Sequence, residues 1–110
     1  MNNAELKEYF RVYNERYFDD KLNSNTKTTF GKTKKRIDGY CHLSENRIVI
    51  NENLRQHDVL TLICLLHEMA HIKLGSTYVG GIFFEDADHG MLYQAELVRL
   101  IHAGAYDGLL

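Results

Sequence analysis

The sequence predicts an α+β domain, a small three-stranded antiparallel sheet lying against an N-terminal, a central and a C-terminal helix. Three observations carry that expectation. Apolar residues recur at helical spacing near both ends and in the middle of the chain. A Thr- and Ile-containing region broken by turn residues lies between them. The length, 110 residues, suits a single domain spanning residues 1–110.

Residues 4–18, AELKEYFRVYNERYF, carry Leu6, Phe10, Tyr13 and Tyr17 at spacings of four, three and four, which is one apolar stripe on a helix. Asn2 followed by Glu5 has the form of a capping box and marks its start. DDKLNSN reads as a turn. The segments 26–33, 36–43 and 47–51, separated by KK and SEN, predict an antiparallel meander. Residues 57–74, HDVLTLICLLHEMAHIKL, are apolar around most of the circumference, so this helix is central and buried, with Gly75 at its end. Glycines and acids in 75–88, GSTYVGGIFFEDAD, predict a loop. Helical spacing returns over 89–104 through Leu92, Ala95, Val98 and Ile101, and Gly104 ends it. AYDGLL reads as a short tail.

Composition excludes several classes. No apolar run approaches the roughly 18 residues that cross a bilayer, and the N-terminus lacks the pattern of a secretory signal, so no membrane partner is expected. Cys41 and Cys64 are too few for a disulfide scaffold and form no C-x-x-C pair; they read as buried free thiols, which suits the cytoplasm. A net charge of −2 argues against strong non-specific nucleic-acid binding by the whole domain. Oligomeric state leaves no signature.

The central helix carries LLHEMAHIKLG, with His67, Glu68 and His71 in an otherwise apolar run. Positions i and i+4 share a helix face, so both imidazoles can aim at one point about 2.0–2.1 Å away, the reach of zinc. Glu68 then projects beside the metal and can take a proton from its water, the H-E-x-x-H arrangement of zinc hydrolases. The competing reading makes the two histidines core residues bonded to carbonyls and pairs Glu68 with a cation. Burying an uncompensated ionisable trio costs too much for that to be preferred. A catalytic zinc needs a third protein ligand. Glu85, Asp86, Asp88, His89 and Glu96 follow within reach; His89, opening the last helix beside Gly90, is the first choice and Glu96 its main rival. Tyr78, Tyr93 and Tyr106 are candidates for a second electrophile, but Tyr93 lies on the apolar side of its helix and reads as packing, so none is assigned.

NERYFDDKL, RIDGYC, RIVINENL, LLHEMAH and HGMLY together resemble the successive blocks of the SprT-like metalloprotease domain, the catalytic core of Spartan-type proteases. The resemblance spans roughly residues 5–102 and implies a zincin-like peptidase with His67, His71 and His89 as zinc ligands and Glu68 as catalytic base. It also implies a connection to DNA-associated or DNA-crosslinked proteins. Unlike many members, the chain carries no four-cysteine zinc ribbon.

The expected function is thus a zinc-dependent endopeptidase that hydrolyses peptide bonds with a zinc-activated water and Glu68 as general base. RIVIN, just before the active helix, is expected to form the edge that pairs with an extended substrate. Ile82, Phe83 and Phe84 could line an apolar pocket, dock a partner or simply cover the helix. The basic run Lys32–Arg36 could contact phosphates or be solvated. His42, His57 and His102 lack partner spacing. The alternatives to a peptidase are a zinc-containing nucleic-acid-binding module and an interaction module without catalysis.

Overall fold

A computed structural model describes residues 1–79, 82–85 and 90–110, with side chains over 1–75 and 90–110. Helix α1 (Asn3–Tyr17) precedes strands β1 (Lys27–Gly31), β2 (Gly39–His42) and β3 (Arg47–Asn51). Helix α2 (Asp58–Leu74) follows, then strands β4 (Ser76–Val79) and β5 (Ile82–Glu85), and helix α3 (Met91–Ala103). The α+β class holds. None of the described helices is long and apolar enough to cross a membrane.

Helix α1 begins at the anticipated box: Asn2 Oδ1 accepts from the Glu5 N–H at 2.8 Å, and Glu5 Oε1 accepts from the Asn2 N–H at 3.0 Å. Its stripe buries Leu6 and Phe10 completely. Buried Asn14 then ties down the following turn, accepting from the Leu22 N–H and donating to the Leu22 carbonyl, both at 3.0 Å.

The sheet is mixed and not an antiparallel meander. Its order is β1-β3-β2, with β1 parallel to β3 and β2 antiparallel to β3. The reason lies in apolarity. Ile48, Val49 and Ile50 are consecutive and all buried, as a central strand requires, whereas β2 is only half buried. β3 therefore takes the middle, and RIVIN, expected at the edge, is interior. The stretch 32–38 carries the chain from one side of β3 to the other, turning through Arg36 at φ +67°.

Helix α2 is central as expected. Leu65, Leu66 and Met69 are fully buried and pack with Leu6, Phe10, Ile48, Ile50 and Leu100 in one core. Three further expectations fail. Strands β4 and β5 pair antiparallel, Val79 opposite Ile82, where a loop was expected. STYV and IFFE flanking Gly-Gly are short β-prone runs around a two-residue turn signal, and that pattern outweighs the glycine count. On α3 the buried positions are Tyr93, Glu96 and Leu100, while Val98 and Ile101 face water. The expected stripe was rotated from the true one. The short tail expected at AYDGLL is packed at its start: Ala105 and Tyr106 join the core.

Candidate metal centre and its cleft

On the last two turns of α2, His67 and His71 converge. Their Nε2 atoms stand 3.1 Å apart, with the rings edge-on. Two nitrogens on one tetrahedral zinc, each about 2.0–2.1 Å from it, would be about 3.3 Å apart, so the pair needs little adjustment to share an ion. Tyr93 of α3 holds the outer side: its hydroxyl lies 2.7 Å from His67 Nδ1 and its ring stacks on His71. With the phenol oxygen accepting from Nδ1–H, the lone pair of His67 Nε2 is left facing His71. Reading Tyr93 as packing alone missed this contact. Its burial followed from the apolar pattern, but helical phase could not reveal what its hydroxyl meets on another helix.

Glu68 lines, together with His67 and His71, a cleft of about 700 Å³ whose other walls come from β2, the stretch before β2 and the earlier turns of α2. Its side chain is 5% exposed. Burial pushes its carboxyl up to about 7, opposed only by a hydrogen bond from Cys41. A carboxyl tuned there can exchange a proton near neutrality. Among the described residues no cation pairs with it, so the competing reading of a charge-paired core glutamate does not describe this site.

Glu96 has another occupation. Its carboxylate lies 2.6 Å from Lys73 Nζ and 2.5 Å from Arg99 Nη2. Burial would raise this carboxyl, but hydrogen bonds from Arg99 and Lys73, with their charges, hold it below the ordinary carboxylate range. Arg99 also donates to the Tyr17 carbonyl at 2.7 Å, tying α3 to the end of α1. The rival third ligand is thus a structural ion-pair centre.

His89, Asp86 and Asp88 lie outside the described residues, as do the side chains of Glu85, Tyr78, Ile82, Phe83 and Phe84. Among the described residues no third His, Cys, Asp or Glu joins His67 and His71 in a metal-holding group. Among the described residues Cys41 and Cys64 form no disulfide; both are half buried and line the cleft. Tyr106 is a core residue.

With this geometry in view, comparison by family gives one match: SprT-like family, over residues 6–105. The chain belongs to the SprT-like family. Comparison with curated proteins and with solved structures gives no match. Within this SprT-like domain the matched span contains all of α2, its two histidines, Glu68 and α3.

Proposed function

We propose that this SprT-like domain is a zinc-dependent endopeptidase. The observation that carries the reading is the convergence of His67 and His71, with buried Glu68 one residue along and open to the cleft. The donor set fits zinc: two imidazoles one helical turn apart, one of them oriented by Tyr93. His89 is proposed as the third ligand. When bound, zinc lowers the pKa of a coordinated water and polarises the peptide carbonyl.

The chain's own residues do the rest. Glu68 accepts the proton released by the attacking water and returns it to the leaving amine, for which a carboxyl near neutrality is suited. Cys41, donating to Glu68, keeps that carboxylate directed along the cleft. Tyr93 holds His67 in the tautomer a ligand requires. The substrate edge belongs to β2 and not to RIVIN: among the described strands β2 pairs with β3 alone, and it forms a wall of the cleft.

One observation favours a DNA-associated substrate. Lys32, Lys34, Lys35 and Arg36 are all exposed on the connection leading to β2, and Arg36 reaches the cleft. Side chains of that charge would be able to contact phosphates beside the substrate path. A cytoplasmic location is proposed from Cys41 and Cys64 being kept as thiols and not joined in a disulfide.

The test is a paired measurement of bound metal and of casein cleavage for wild type and Glu68→Gln. The reading expects one zinc per chain in both proteins and cleavage in the wild type alone. Equal cleavage by the Gln variant removes Glu68 as base, and a wild type without zinc or cleavage overturns the proposal.

A further inference from the structure

The cleft does not stop at Glu68. It continues along α2 towards the helix N-terminus, and two points fix how β2 runs beside that helix. A Cβ on Gly39 would stand 2.8 Å from Cys64 Sγ, so residue 39 lies against residue 64. Cys41 hydrogen-bonds Glu68, so residue 41 lies against residue 68. Two strand residues advance about 6.6 Å and one helical turn about 5.4 Å, so strand and helix keep step. The same step brings residue 37 to residue 60, and Ile37 and Leu60 indeed line the cleft together with Leu54 and Ile63. Ile37 is 42% exposed and Leu60 52% exposed, two large aliphatic side chains from different elements left facing water across one groove.

We infer that this arm of the cleft is a side-chain subsite for an aliphatic residue of an extended peptide, seated among Ile37, Leu60 and Ile63. The inference rests on the peptidase reading and adds which substrates that site selects. From Glu68 back to Ile63 is about 7.5 Å along the helix, and to Leu60 about 12 Å, so the selected residue lies two to three positions from the cleaved bond. A chain pairing antiparallel to β2 runs from the Cys41 end to the Ile37 end, which puts the selected residue on the C-terminal side of that bond. Beside Arg36 and Asp38, the lining of this arm is aliphatic, which favours an apolar side chain over a polar one.

Binding separates this inference from the peptidase reading. Fluorescent octapeptides with Leu, Ala or Lys at the second and third positions after a fixed central bond are titrated against the full chain carrying Glu68→Gln. The Leu peptides are expected to bind roughly tenfold or more tightly than Ala or Lys peptides. Leu60→Asp and Ile37→Asp, both at exposed positions and checked for unchanged helix content, are expected to erase that preference. Equal binding of all peptides, absence of binding, or a preference that survives both variants overturns the inference. So does a dimer that buries Ile37 and Leu60 in solution. If Leu-selective binding stands while the wild type cleaves nothing, the peptidase reading fails and the subsite remains. Cleavage without Leu preference removes the subsite and leaves the peptidase reading in place.

Discussion

Glu68 and Glu96 are equally buried, each 5% exposed, and lie on adjacent helices. Their surroundings differ in one respect. Glu96 has Lys73 and Arg99 on its oxygens and is held ionised; Glu68 has no described cation and is pushed up to about 7 by burial. One carboxylate is compensated within the chain and serves the fold. The other has no cation beside it among the described residues, a cost that the metal proposed at the two converging imidazoles would offset. The contrast separates scaffold from site between two buried glutamates that look alike in sequence.

Substitutions at the two positions should therefore move different observables. The largest effect is expected on cleavage: Glu68→Gln should lower kcat by about 10²–10⁴-fold while bound zinc is retained, as measured by casein digestion with metal analysis. The same substitution should stabilise the metal-free protein. Folded Glu68 keeps its proton to about pH 7, whereas the unfolded chain loses it near 4.5, so stability should fall as pH rises between those values and then level. Thermal melts of the metal-free wild type and Gln variant should differ by on the order of 3 kcal/mol at pH 8 and converge near pH 4.

Glu96→Gln should act in the opposite sense. Its stabilisation is present above the ordinary carboxyl pKa and is lost as pH falls through its lowered value. Lys73 and Arg99 are 37% and 41% exposed and can turn to water, so the loss should be about 1–3 kcal/mol in urea unfolding near neutral pH, with zinc affinity unchanged. Tyr93→Phe keeps the ring on His71 but removes the oxygen beside His67 Nδ1. Competition with a chelator should show zinc affinity lowered by about 10–100-fold. The smallest change is expected from Gly39→Ala. Its methyl would meet Cys64 Sγ at 2.8 Å and the Val49 carbonyl at 3.1 Å, lowering stability by about 1–2 kcal/mol, part of it recovered by adding Cys64→Ala.

Sequence periodicity reached α1 and α2 because each depends on local apolar spacing: Leu6 and Phe10 on α1 and Leu62, Leu65, Leu66 and Met69 on α2 are buried as expected, while Val59 and Leu60 of the α2 run face water. The capping pair Asn2 and Glu5 was equally legible, since both partners lie within one turn. Strand order was not, because nothing between residues 31 and 39 states that β3 will insert between β1 and β2. The uninterrupted Ile48-Val49-Ile50 was the available signal for a central strand. At the site, the i, i+4 histidines and Glu68 were legible for the same local reason as the helices. The functions of Tyr93, Glu96 and Cys41 were not, because each is decided by a partner on another element: His67, Lys73 and Glu68 respectively.

X-ray absorption on the zinc-loaded full chain measures the decisive coordination directly. We expect one zinc per chain with two or more imidazole nitrogens at about 2.0–2.1 Å and no sulfur in the first shell. A sulfur-rich shell at about 2.3 Å, or zinc that fails to reach one equivalent, would contradict the assignment of His67 and His71 as its ligands.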